Sequence, residues 1–284
     1  MNRTVSKQSL VLPTFLYIGA EKAGSTWIYE ALSEHPEVFV TFVKDIDFFN
    51  KHYDRGMEWY ASFFAKAGSA KAIGELSHDY FLEASSAHRI HEFLPEAKLV
   101  CCLREPVERT VSAYLFCRNM DLSRKSDLEH FMFRPDTLKH NDYYQNLAPF
   151  YDLFPRENLR VLFFDQLKRD SKRFIQEIYD FIGVDASLEP SVIDKKVLPA
   201  TEPRWDAFAH LVYRGAALAR EKGLLRTLGR AKRSSVVRHL LYKKVKQRPV
   251  VPEALKVRLR SHFKDYARLS ELIGKPVPES WRAD

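Results

Sequence analysis

Thr14-Phe-Leu-Tyr-Ile-Gly-Ala-Glu-Lys-Ala-Gly-Ser-Thr26 is the stretch that decides the fold. Its first half is a short apolar run closed by Gly19, the pattern of a buried strand. Ala20 to Gly24 makes a loop, and Ser25 to Ser33 reads as a helix stopped at His35-Pro36. Strand, glycine loop and helix in that order bring free helix N–H groups, at the positive end of the helix dipole, to a place where glycines let an anion approach the backbone. Lys22 adds a mobile positive charge, and Ser25 and Thr26 add hydroxyl donors. The segment reads as a phosphate cradle; a tight turn without a ligand is the plainer alternative.

Outward from this segment, apolar runs recur at Val38–Thr41, Ala72–Leu76, Lys98–Leu103 and Leu159–Phe164. Helical spacing recurs at Met57–Ala67, Ser85–Phe93, Val107–Phe116, Tyr143–Phe154 and Asp170–Ile182, the last stopped by Gly183. Strands alternating with helices predict an α/β fold with a central parallel sheet and helices on its faces. Lys44–Phe49 reads as a loop, and the polar residues 118–140 as an excursion. Residues 214–248 hold twelve Lys or Arg against one acid, Glu221, and Pro252–Leu272 reads as a helix. A single domain is expected over residues 1–284, with an α/β core over 14–205 and a helical, basic part over 206–284.

The formal net charge of +8 turns the chain toward anionic ligands, although a solvated basic surface gives the same number. The three cysteines lack a C-x-x-C spacing, so no metal site is expected, and adjacent Cys101 and Cys102 on one strand point to opposite faces. No apolar stretch is long enough to span a membrane, and Met1–Ser9 is polar. Together these predict a soluble, cytoplasmic protein.

A second constellation follows the strongest strand: Leu103-Arg-Glu-Pro-Val-Glu-Arg-Thr-Val-Ser-Ala-Tyr114. Arg104 stands at the strand's carboxyl end, where parallel sheets bind ligands, and Ser112 follows two helical turns on. An arginine and a hydroxyl in that arrangement suit a second phosphate. A nucleoside-triphosphate kinase is the first alternative. Gly19 and Gly24 match the spacing of G-x-x-x-x-G-K-[ST], but Ser25 stands where the lysine belongs and Lys22 lies three residues earlier. A nucleic-acid-binding protein using residues 214–248 is the second alternative; no base-reading signature accompanies the charge.

The two constellations resemble a known family. Lys22-Ala-Gly-Ser-Thr-Trp27 resembles the K-x-G-[ST]-T-W loop of sulfotransferases that use 3′-phosphoadenosine 5′-phosphosulfate (PAPS), and Arg104 to Tyr114 resembles their R-[DE]-P-x-x-R-x-x-S-x-Y segment. The likeness points to a soluble bacterial member near the carbohydrate and heparan branch. It implies a P-loop-like three-layer fold and sulfuryl transfer from PAPS to a hydroxyl or similar nucleophile on a small molecule, glycolipid or sugar. Lys22, Ala23, Gly24, Ser25, Thr26 and Trp27 would hold the 5′-phosphosulfate, and Arg104 and Ser112 the 3′-phosphate. Arg204, in Leu198–Arg204, resembles a ligand from a cofactor-covering loop. No metal is implied, and the acceptor is a small molecule or saccharide rather than nucleic acid.

The base is open between two residues. Val43-Lys-Asp-Ile-Asp-Phe-Phe49 resembles the family's K-E-x-x-F-F segment, which places Asp45 at the position of its catalytic glutamate, one methylene shorter. His78, in Gly74–Phe81, stands where relatives carry proline, and its ordinary pKa suits base work near neutrality. Lys22 would assist the leaving phosphate. Lys44, Asp47, Phe48 and Tyr144 are the candidate acceptor neighbours.

Overall fold

The structure is a computed structural model and describes residues 10–119, 127–193, 201–203, 242–244, 248–263 and 266–281. Five parallel strands form the central sheet: β1 (Phe15–Gly19), β2 (Val38–Val40), β3 (Ala72–Leu76), β4 (Lys98–Leu103) and β5 (Leu159–Phe163), in the order β2-β3-β1-β4-β5. Every residue of β1 is buried, as expected of a strand with a neighbour on each edge and helices on both faces. Phe15 pairs with Gly74 on one side and Lys98 on the other. Gly74 is required by packing, because a Cβ there would run into the Phe15 ring.

On one side of the sheet α1 (Ser25–Glu34) packs with α10 (Ser171–Ile182). Trp27 meets Phe174 edge-on at 6.0 Å, and the Tyr179 hydroxyl donates to the Ala31 carbonyl at 3.1 Å. A second group joins α4 (Ala84–Phe93), α8 (Tyr143–Leu153) and α12 (Tyr266–Ile273). The chain also forms α2 (Phe48–Lys51), α3 (Met57–Ala61), α5 (Pro106–Asn119), α6 (Leu128–Met132), α7 (Pro135–Asn141), α9 (Phe164–Arg169) and α11 (Glu253–Ser261).

Several expectations need adjusting. The helix expected over 57–67 stops at Ala61, because the next amides fold back three residues, Phe63 to Tyr60 and Phe64 to Ala61. The excursion expected over 118–140 contains α6 and α7, started by the Asp127 side chain on the His130 amide at 2.7 Å and by Pro135 in the first turn. Its apolar residues Phe131 and Met132 are buried. Described parts of the last third are not all helical: β6 (Thr201–Pro203) and β7 (Tyr242–Lys244) pair antiparallel. Apart from β7 and Arg248, the basic stretch lies outside the described residues, as does Arg204.

The end of the chain is tied to the sheet by Trp281, which is fully buried. Its indole N–H donates to Asp165 Oδ2 at 3.2 Å, and its ring meets Phe163 edge-on at 5.3 Å. Trp281→Ala is expected to lower unfolding free energy by about 3–5 kcal/mol in a urea titration, the usual cost of emptying a buried aromatic site.

Candidate active site

Parallel pairing brings the carboxyl ends of β1, β3 and β4 to one edge of the sheet, and the loops leaving them build the site. After β1 the chain turns through Lys22 at φ 63° and Gly24 at φ 96°, both left-handed, and enters α1. At Gly24 a side chain would also press on Leu167 and Phe164. No side chain caps the first amides of α1, and its first turn carries no acid, which leaves the dipole's positive end for an anion.

Lysines and an arginine surround this loop. Lys44 Nζ donates to Ser25 Oγ at 2.8 Å and to Thr26 Oγ1 at 3.4 Å. Arg104, at the end of β4, donates from Nη1 to the Lys22 carbonyl at 3.0 Å, pairs with Glu108 at 3.2 Å and lies over the Phe164 ring. Lys22 Nζ sits 3.8 Å above the Phe116 ring. Burial holds the pKa values of Lys22 and Lys44 below the ordinary lysine value. Lysine, arginine, hydroxyls and helix N–H groups are the donor set of a multiply charged anion such as PAPS, and these residues fit it.

The second half of the site joins the segment after β2 to the turn after β3. Asp45 (φ 59°) and Asp47 (φ 55°) are both left-handed. The Asp45 amide donates to the Leu76 carbonyl at 2.8 Å. Asp45 Oδ1 lies 2.6 Å from His78 Nδ1, so the two candidates for the base form one pair. Burial alone would lower the His78 pKa, but the Asp45 charge and hydrogen bond outweigh it and push it up to about 9. Lys51 bridges Asp47 (2.9 Å) and Asp79 (2.7 Å), and His78 Nε2 lies 3.5 Å from Asp79.

Other candidate residues have different surroundings. Lys44 reaches back to the Ser25 and Thr26 hydroxyls. Trp27 is a core residue whose indole donates to the Val192 carbonyl at 3.0 Å. Phe48 is buried in an aromatic stack with Tyr60 at 4.5 Å. The Tyr144 hydroxyl accepts from Arg268 at 2.9 Å. Ser112 is half-buried on α5. Three residues outside the sequence-based set belong to the neighbourhood. Lys51 carries no sequence signal beyond its spacing of four from Asp47. Phe116 stands one turn beyond Ser112. His140, on α7, keeps a buried Nδ1 without a hydrogen bond among the described residues, and burial and the Arg109 charge hold its pKa below the ordinary histidine value. No cluster of potential metal ligands occurs among the described residues.

A family profile described as a sulfotransferase domain matches residues 12–199. The chain belongs to the PAPS-dependent sulfotransferase family. This sulfotransferase is 39% identical over 115 residues to the membrane-associated sulfotransferase kil1 of Dictyostelium discoideum, a match covering 39% of this chain and 24% of that one. It is 27% identical over 268 residues to heparan sulfate glucosamine 3-O-sulfotransferase 6 of Mus musculus, covering 90% of this chain and 70% of the relative. Among solved structures it superposes on a sulfotransferase from Alicyclobacillus acidocaldarius with TM-score 0.69 and 20% identity, over 96% of this chain and 100% of that one, a likeness of fold. The kinase alternative lapses with this assignment, since the reaction class of the family is sulfuryl transfer. No helix among the described residues is long and apolar enough to cross a membrane.

The His78 pair has a signature in stability. Its folded pKa of about 9 lies above the ordinary 6.5, so the pair's contribution is full below about pH 6.5 and is lost as pH rises through 9. The stability difference between the wild type and His78→Gln should therefore shrink from pH 6.5 to 9.5 in urea titrations. A constant difference across that range would show that His78 does not titrate with Asp45.

Proposed function

We propose that this sulfotransferase moves the sulfuryl group of PAPS to a hydroxyl, or similar nucleophile, of a small-molecule, glycolipid or sugar acceptor, with Asp45 as general base. The observation that carries the reading is the Asp45–His78 contact of 2.6 Å, one residue along the chain from Lys44, which reaches Ser25 at the end of the donor loop. The mouse relative's name, a glucosamine 3-O-sulfotransferase, supports a sugar hydroxyl.

When bound, PAPS supplies the sulfuryl group and a phosphate leaving group. Ala23 to Thr26 and the start of α1 hold the 5′ end through backbone N–H groups and hydroxyls. Arg104 and Ser112 would hold the 3′-phosphate, and Glu108, paired with Arg104, orients the guanidinium. Lys22, beside the Phe116 ring, would set its charge against the phosphate oxygen that loses sulfur. Lys44, in reach of Ser25 and Thr26, stabilises the equatorial sulfuryl oxygens. Asp45 would take the acceptor's hydroxyl proton, freeing that oxygen to bond sulfur as the phosphate leaves. His78, protonated at neutral pH because of its pKa of about 9, keeps Asp45 ionised and oriented.

Asp45→Asn should lower kcat at least about 100-fold, the usual range for a lost general base, while the Kd for the desulfated product stays within about threefold. Turnover and binding are read by labelled-sulfate transfer and calorimetry. If Asp45→Asn stays active while His78→Ala is dead, the base is His78. Lys22→Ala should lose about 100-fold or more in kcat, as expected for removing a charge aimed at the developing anion. An unchanged kcat in that variant would remove Lys22 from the leaving side.

A further inference from the structure

Arg104 is held by a chain of contacts that begins beyond residues 12–199, the stretch matched by the family profile. Arg260 lies on α11, and its Nε donates to Glu105 Oε1 at 3.2 Å across 155 residues of sequence. Glu105 is buried and Arg260 half-buried. Packing sets the place of Arg260. Leu259 beside it is fully buried in an apolar cluster with Val107 and Val111 of α5.

Glu105 uses its second carboxylate oxygen on the helix that follows it. Oε2 accepts the Glu108 amide at 2.7 Å, and the Glu105 carbonyl accepts the Arg109 amide at 2.8 Å. The Glu108 amide belongs to the first turn of α5, where amides lack a partner within the helix, and a carboxylate there also suits the positive end of the dipole. A carboxylate taken out of water costs free energy unless charge and hydrogen bonds answer it; Arg260 and the Glu108 amide do so. From the same turn the Glu108 side chain reaches Arg104, accepting from Nε at 3.3 Å and from Nη2 at 3.2 Å. Arg104 Nη1 donates to the Lys22 carbonyl at 3.0 Å, and the Arg104 carbonyl accepts from the Tyr143 hydroxyl at 2.6 Å. These contacts take three of the five guanidinium N–H groups and leave two for a phosphate.

We infer that Glu105 and Arg260 are positioning residues for the 3′-phosphate: Arg260 holds the Glu105 carboxylate at the start of α5, Glu105 fixes the turn that carries Glu108, and Glu108 aims the Arg104 guanidinium. Both act through Arg104. Without Arg260 the buried carboxylate is short of a partner charge, turns toward water and releases the Glu108 amide. The guanidinium then keeps its charge but loses its orientation. The loss falls on a ligand that carries a 3′-phosphate.

The inference rests on Arg104 as a ligand of that phosphate, so the experiment reads this role separately. In the full chain, calorimetry gives Kd for 3′-phosphoadenosine 5′-phosphate and for adenosine 5′-phosphate, which lacks the 3′ group. The ratio of the two is the factor by which the 3′-phosphate tightens binding. Arg104→Met should lower that factor at least about tenfold, as expected for losing hydrogen bonds between charged groups. Arg260→Met should lower it at least about fivefold, with Kd for adenosine 5′-phosphate within about twofold of wild type, while Arg260→Lys, which keeps the charge, should stay within about twofold. Glu105→Gln should lower the factor at least about threefold, and serves if Arg260→Met does not fold. Added to Arg104→Met, Arg260→Met should change it less than about twofold, because a residue acting through another has nothing further to remove. A wild-type factor in Arg260→Met or Glu105→Gln overturns the inference. Equal weakening of both nucleotides also overturns it, and leaves the pair a structural tie only. A wild-type factor in Arg104→Met overturns the reading of Arg104, and the inference with it.

Discussion

The pairing of β1 with a parallel strand on each edge is the constraint from which the site follows. A strand so placed has no solvent face, which accounts for its buried, apolar sequence. Parallel neighbours also align their carboxyl ends. The Lys22 loop, the His78 turn and Arg104 leave that one edge, from β1, β3 and β4 respectively. The close approach of Phe15 to Gly74 fixes how β1 and β3 meet, and thereby how the Lys22 loop stands relative to Asp45. Packing in the apolar core thus sets distances between charges at the rim.

Those charges fall into two groups. On the donor side Lys44 is held by hydroxyls, and Lys22 by an aromatic face. On the other side His78 and Lys51 are matched by Asp45, Asp47 and Asp79. Burial acts on both groups but with different outcomes. Burial pulls the two lysines down in pKa, whereas His78 is carried up by Asp45 against the same burial. The first arrangement suits capture of a polyanion, and the second suits moving one proton beside it.

Much of this was legible in the sequence, for identifiable reasons. The core strands are short apolar runs bounded by Gly, Pro or charge, so Ala72–Leu76 and Lys98–Leu103 could be read to the residue. The Lys22 loop was readable because glycine spacing and residue chemistry act locally. The α6–α7 region was not, because its helices are short and stabilised by caps and by burial of a few residues against α5. The Asp45–His78 pair was also hidden: two residues 33 positions apart looked like rivals until the β2–β3 pairing set them together. Arg109, within the quoted motif, is buried and donates to Asn141 and the Thr137 carbonyl, tying α5 to α7.

The resting place of Lys22 has a consequence for how the enzyme meets its first ligand. Phe116 is 44% exposed, so the ammonium lies on a ring at the rim. An aromatic face attracts a cation through its quadrupole, by about 0.5–1 kcal/mol at exposed sites, and brings no negative charge with it. A carboxylate in the same place would cancel the lysine's field and would have to be stripped away before any anion arrived. With the ring beneath it, Lys22 is restrained in direction, and its attraction extends into solvent over roughly a Debye length, about 8 Å at physiological salt. The rim of α5 thereby bears on the speed of anion capture, a property separate from how tightly the anion is finally held.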